Sequence, residues 1–394
     1  MTPEERTFRL LALCTQRPGH PAVSGRLRSA LAALPPGSGL VEGAERHGLV
    51  PLLFAHVRSA GAVVTPSVVA RLFGRHMQQA HAAAVRTRLV RDAVQALAQA
   101  DVPLLVLKGA ALARLVYADP ALRPMRDVDL LVRPRDARRA YEVLQCLGFA
   151  PIGTAVAPGH HHLEGLAKTE DGATIAIELH HELLARTPFV ASMAFDDLLP
   201  ASQTFEWAGL TLRTLGREDM LWHVYAHAFV VNTLCPGARL ISVADLVHAT
   251  EEWVDVLDWD LLRERYARMV RALPLVQELT PWSARVNETL RIRSRRPVSG
   301  VHAVSSSVHW SAALSRDVLW PPEWWFRMRY GIDGWRRWSW YRFAGHPLRV
   351  AAAAADAAAR RIARGVRPGR PHALLGELAL KRGTEGSNRA GRGE

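Results

Sequence analysis

The run Asp127-Val128-Asp129-Leu130-Leu131-Val132, stopped by Arg133-Pro134, constrains this chain more than any other stretch of its 394 residues. Its alternation predicts a strand, on which residues two apart share a face. Asp127 and Asp129 therefore project together, while Val128, Leu130 and Val132 point into a core. Two carboxylates side by side on an apolar strand repel each other unless a cation lies between them. Hard divalent ions such as Mg2+ take oxygen ligands of this kind, together with phosphate oxygens and water. Two such ions roughly 4 Å apart activate an attacking hydroxyl and stabilise a leaving pyrophosphate.

The surroundings of this run extend the pattern. Val102-Pro103-Leu104-Leu105-Val106-Leu107 predicts a buried strand that ends at Lys108-Gly109. A short helix is expected over 110–118, ended by Asp119-Pro120, and another over 135–147, closed by Gly148 as a C-cap. Residues 174–179 alternate again after the turn signal Glu170-Asp171-Gly172. Strand, helix, strand, helix, strand in this order predicts a compact α+β module. Glu178 shares a strand face with Thr174 and Ala176, so it reads either as a third metal carboxylate or as an ordinary exposed acid. Gly109 allows close approach of the backbone to a phosphate, and the amides opening the next helix favour an anion. Lys108, one of three lysines in a chain that otherwise uses Arg, suits a phosphate as a point charge. Arg123 and Arg126 are candidates to hold a triphosphate tail, or to pair with nearby acids.

Around this module the chain reads as helical. Residues 1–100 form an N-terminal helical region, with helices at 24–34 and 66–100 separated by Pro35-Pro36-Gly37. Residues 101–200 form the core, 201–282 a helical domain including 217–231 and 259–271, and 283–394 a basic, Trp-rich region with a disordered end from Gly383. The formal net charge of +13 belongs entirely to that last region: residues 1–282 carry 29 Lys+Arg and 29 Asp+Glu, and 283–394 carry 21 and 8. Such a tail can attract nucleic acid or another acidic partner. Because 47 of the 50 basic residues are Arg, genome composition explains the skew equally well, and nucleic-acid binding is not favoured. Cys14, Cys146 and Cys235 are odd in number and far apart, which suggests neither disulfides nor a CxxC site. With no signal sequence and no apolar run long enough for a membrane span, the expected setting is cytoplasmic.

Taken together, Lys108-Gly109, Arg123-Pro124-Met125-Arg126-Asp127-Val128-Asp129-Leu130-Leu131-Val132, Gly148-Phe149 and Ile177-Glu178-Leu179-His180 resemble the uncharacterised nucleotidyltransferase family of the polymerase-β-like superfamily. Glu45 to Leu53 and Arg217-Glu218-Asp219 through His223 and His227 to Asp245 are similar to flanking segments of that family. The resemblance implies a small mixed β-sheet nucleotidyltransferase core flanked by helical regions. It also implies an Mg2+-dependent transfer of a nucleoside monophosphate from a nucleoside triphosphate, ATP included, to an acceptor hydroxyl. Asp127, Asp129 and Glu178 would bind two metal ions; Lys108, Gly109, Arg123, Arg126 and His180 would meet nucleotide or substrate. The acceptor stays open among small molecule, peptide and protein. Two departures stand out: Gly109-Ala110 replaces the usual Gly-Ser or Gly-Gly, and the 18-residue step from Gly109 to Asp127 is longer than usual. Gly109-Ala110 supports the rival reading, a catalytically degenerate fold that binds a nucleotide, peptide or partner, and the intact acid pair argues against it.

Three further features read as structural. His160-His161-His162 is expected as a polar loop, and His223 and His227, at i and i+4, as satisfied helix histidines facing the core. The tryptophans of 318–343, set among arginines, are expected to pack on the protein or on a partner rather than on a membrane.

Overall fold

In the computed structural model, residues 3–35, 38–61, 64–152, 160–184, 193–231, 239–292, 323–332 and 339–363 are described. Cys235, Trp320, Trp335, Trp338 and the segment from Gly383 lie outside them. The described chain opens with α1 (Pro3–Leu13), α2 (Pro21–Ala32), α3 (Leu40–His47), α4 (Val50–Ser59) and α5 (Pro66–Gln99). At 1.5 Å per residue, α5 runs about 51 Å. It buries Val85, Arg86, Leu89, Val90, Ala93, Val94 and Leu97, and this stripe packs on the sheet.

The module follows as β1 (Leu104–Val106), α6 (Lys108–Leu115), β2 (Asp127–Val132), α7 (Ala137–Cys146), β3 (Ala150–Pro151), β4 (Leu166–Glu170) and β5 (Ala173–His180). After α8 (Phe195–Leu198) come β6 (Gln203–Trp207) and β7 (Leu210–Thr214). The seven strands form one mixed sheet in the order β3-β4-β5-β2-β1-β7-β6. Three of them, β1, β2 and β5, were expected. The other four belong to segments with few branched residues or to hairpins, whose pairing is decided by turns and neighbours rather than by periodicity. Asp171 and Gly172, and likewise Ala208 and Gly209, all take positive φ. Each pair forms the two-residue loop that joins antiparallel strands, with Glu170 opposite Ala173 and Trp207 opposite Leu210. Because β7 pairs with β1, the sheet runs past residue 200, and the helices expected from 201 begin at Arg217. Gly148, at φ +84, closes α7 as expected, with the Phe149 amide donating to the Leu144 carbonyl.

Helices α9 (Arg217–Tyr225) and α10 (Leu240–Trp253) cover the site end of the sheet, and a π-helical turn, Ala226–Val230, continues α9. Then come α11 (Trp259–Arg265), α12 (Ala267–Ala272), α13 (Ala284–Thr289), α14 (Glu323–Tyr330) and α15 (His346–Ala363). The single helix expected over 259–271 is broken at Tyr266, whose φ of −124 departs from helical geometry. One contiguous apolar cluster takes side chains from Phe8 in α1 to Met328 in α14, so N-terminal helices, sheet and later helices share a core. Trp324 and Trp325 are buried, and the Trp324 indole donates to the Leu275 carbonyl at 2.9 Å, in line with the packing expectation. Trp340 is exposed. Among the described residues no helix is long and apolar enough to cross a membrane.

Candidate active site

β2 and β5 run parallel, with Asp127 beside Ala176, Asp129 beside Glu178 and Leu131 beside His180. Asp127, Asp129, Glu178 and His180 therefore line one face of two adjacent strands, while Val128, Ile177 and Leu179 enter the core. This register brings the third acid to the expected pair. Asp129 is buried, and its two oxygens have basic partners: Lys108 Nζ lies 3.2 Å from Oδ2, and His180 Nε2 lies 2.9 Å from Oδ1. His180 Nε2 is also 3.7 Å from Glu178 Oε2. Asp129, Glu178 and His180 each place a ligand atom within 4.8 Å of the others.

The electrostatics follow from these neighbours. Burial opposes ionisation of Asp129, but Lys108 and His180 overcome it and hold the carboxyl well below the usual range. Burial likewise opposes charge on His180, and its bonds to Asp129 and Glu178 reverse the sign, raising its pKa. Asp127 is solvent-exposed at its outer side. Desolvation by the surrounding wall, then the charges of Asp129 and Glu178, push its carboxyl up to about 6. Asp129 and Glu178 thus raise the proton affinity of Asp127 on the same face, and carboxylate oxygens gathered in this way suit a hard divalent cation.

Lys108 opens α6 with φ +44, a left-handed conformation uncommon outside glycine. The Leu107 amide donates to the Asp129 carbonyl at 2.9 Å, so the start of α6 is tied to the acid strand itself. Lys108 is thus aimed at Asp129 rather than solvated at a strand end. Gly109 has a different physical reason from the one read in the sequence: a Cβ there would overlap the guanidinium of Arg123. Arg123 in turn is held by Asp245 of α10, with Nε 3.1 Å from Oδ1 and Nη2 2.6 Å from Oδ2. Tyr117 donates to the same carboxylate at 2.7 Å and stacks on His248. Burial opposes the charge of Arg123, and Asp245 outweighs it, raising its pKa. Of its two sequence readings, the structure realises pairing with an acid, although its charge still acts on Asp127. Arg126 is exposed just ahead of β2, and among the described residues no ion pair joins it to the carboxylates.

Gly109→Ala is therefore expected to displace Arg123 from its seat and destabilise the fold by about 1–3 kcal/mol, the usual range for overpacking. A thermal melt compared with Ala110→Gly, which adds no atom, checks this.

Several residues of the site were not legible in the sequence. Arg86 of α5 is buried and donates to the Met125 carbonyl at 2.8 Å, bracing the approach to β2. The histidine triplet is not a detached polar loop: His162 Nε2 lies 4.0 Å from Glu178 Oε2. His223 faces the site as expected, but it is fully buried with no hydrogen-bond partner on either ring nitrogen among the described residues. The only sequence signal for any of these was histidine density and the i, i+4 spacing.

With this geometry in view, residues 38–280 match the model of a family described as "Uncharacterised nucleotidyltransferase". No curated protein matches the chain. Among solved structures, the crystal structure of ANT(2″)-Ia in complex with adenylyl-2″-tobramycin is similar at 13% identity and a TM-score of 0.33, covering 46% of this chain and 97% of that one. The solution structure of the antibiotic-resistance factor ANT(2″)-Ia matches at 18% identity and TM-score 0.31, over 47% and 94%. An antigenic nucleotidyltransferase-like protein from Paracoccidioides brasiliensis matches at 14% identity and TM-score 0.26, over 52% and 95%.

Proposed function

Because the chain belongs to the uncharacterised nucleotidyltransferase family, we propose that it moves a nucleoside monophosphate from a nucleoside triphosphate to an acceptor hydroxyl, with Mg2+ as the metal. The observation that carries this reading is the register of Asp129 beside Glu178, with Asp127 on the same face. Asp127, Asp129 and Glu178 would hold two ions. When bound, these supply charge neutralisation at the phosphates and lower the pKa of the acceptor hydroxyl. Lys108 and the amides opening α6 would receive the phosphate oxygens. Glu178, the third carboxylate, takes the acceptor proton as the new oxygen–phosphorus bond forms. The bond from the α-phosphorus to the bridging oxygen breaks, and pyrophosphate leaves. Arg123 acts through position, by filling the space over Gly109, and Arg126 is free to meet the outer phosphates. The acceptor is a small molecule, peptide or protein, and a cytoplasmic setting supplies the triphosphate.

A thermal-shift panel of the four nucleoside triphosphates, each with and without Mg2+, tests the reading. Stabilisation by a triphosphate that requires the metal, and that is lost in Asp127→Asn, is the expected result. Absence of any shift with every nucleotide favours the second reading, a fold that binds a partner without transferring a nucleotide. One observation supports that alternative: both oxygens of Asp129 already have partners in Lys108 and His180, which a metal must displace.

A further inference from the structure

His160, His161 and His162 take no part in that reaction, yet the chain holds them together. Each offers a ring nitrogen within 4.8 Å of the other two, and their ring centroids are 4.2, 4.5 and 4.7 Å apart. The backbone around them is fastened to β5. The Leu163 amide donates to the Leu179 carbonyl at 2.9 Å, and the amides of His181 and Glu182 both donate to the His161 carbonyl, at 3.0 and 3.2 Å. His162 also pairs antiparallel with His180. The triplet thus stands against the C-terminal end of β5, an interior strand of the sheet, where side chains are positioned more closely than on a free loop.

The hydrogen bonding prepares these rings as ligands. His162 Nδ1 lies 2.6 Å from the Leu163 carbonyl. A carbonyl only accepts, so Nδ1 carries the proton and Nε2 keeps its lone pair. Such a bond on the remote nitrogen is the support that metal-binding histidines commonly have. The Nδ1 atoms of His161 and His180 are buried and have no hydrogen-bond partner among the described residues, a state that calls for an explanation. The His180 ring, 5.3 Å from His161 and 5.2 Å from His162, forms the wall between this cluster and Asp129.

We propose that His160, His161 and His162 bind one divalent transition-metal ion, of which Zn2+ is the best fit, at a site adjacent to and separate from the three carboxylates. Three imidazoles with a position left open form a recurrent Zn2+ donor set. Nitrogen donors suit Zn2+ and its neighbours, whereas Mg2+ prefers oxygen. The two clusters therefore sort metals by donor chemistry, and a filled histidine site braces the strand end that carries Glu178. This inference does not depend on the nucleotidyl-transfer reading.

The test uses the full chain, stripped with chelator and titrated calorimetrically with Zn2+ in excess Mg2+, with Co2+ as an absorbing probe. The expected result is one Zn2+ per chain, kept in Asp127→Asn and weakened at least about 100-fold in His160→Gln/His161→Gln, with Co2+ absorption lost in parallel. Far-UV circular dichroism checks that the variants fold. On the unaltered protein, Zn2+ should shield His160, His161 and His162 from diethyl pyrocarbonate, mapped by mass spectrometry. Unchanged affinity in the histidine variant overturns the proposal. So does binding that disappears in Asp127→Asn but survives in the histidine variant, since the ion then sits on the carboxylates. Labelling of the triplet that Zn2+ does not slow overturns it as well.

Discussion

Asp127→Asn is expected to lower metal-dependent pyrophosphate release from a nucleoside triphosphate by about 10^3-fold or more, the scale of several kcal/mol of lost charge stabilisation. It should do so without lowering the melting temperature. Desolvation, then the like charges of Asp129 and Glu178, raise the Asp127 carboxyl, so replacing it with a neutral amide relieves both in the metal-free protein. A variant that is as stable as the parent, or more so, and inactive separates a ligand from a structural acid. Asp129→Asn should lose as much activity, but it also deprives Lys108 and His180 of their shared anion. Its melting temperature is therefore expected to fall where that of Asp127→Asn does not. Full activity in Asp127→Asn would remove the carboxylate mechanism altogether. The paired measurement is steady-state pyrophosphate release alongside a melt of each variant.

The second large effect is on stability. Asp245→Ala is expected to cost about 3–5 kcal/mol, the usual consequence of leaving a buried charge without its partner. The side chains of Arg123 and Asp245 are 14% and 4% exposed, so solvent does little to compensate. Tyr117 loses its acceptor in the same change. The guanidinium then loses both bonds to Asp245 and keeps the one to the Pro124 carbonyl, so its seat over Gly109 loosens. Chemical denaturation should show the loss, and the double variant Asp245→Leu/Arg123→Leu should recover part of it by removing both charges. If Asp245→Ala unfolds at the same denaturant concentration as the parent, the pair is not what holds α10 against the site.

The acid strand was legible because its signal is short-range. Six residues with two acids on one face and branched apolar residues on the other specify a strand whatever surrounds it, and β2 spans the expected Asp127–Val132. The same holds for β5 and for α7 with its closing Gly148. β6 and β7 were not legible, since Gln203–Trp207 and Leu210–Thr214 become strands by folding on a two-residue turn and pairing with β1. Asp245 was seen only as part of a helical flank. Its role needs Arg123, 122 residues away in the chain, and nothing local marks one as the partner of the other.

Sequence alone thus determined the periods of β1, β2, β5 and α7, the face on which Asp127, Asp129 and Glu178 stand, and the glycine that closes α7, because these are properties of neighbouring residues. Tertiary structure alone decided that Asp129 faces Glu178 in register, that Lys108 and His180 hold Asp129, and that the histidine triplet sits against β5 rather than in solvent. Those facts depend on which distant segments meet. Closing the sheet fixes that choice through the sum of many weak contacts, and no single stretch of the chain encodes it.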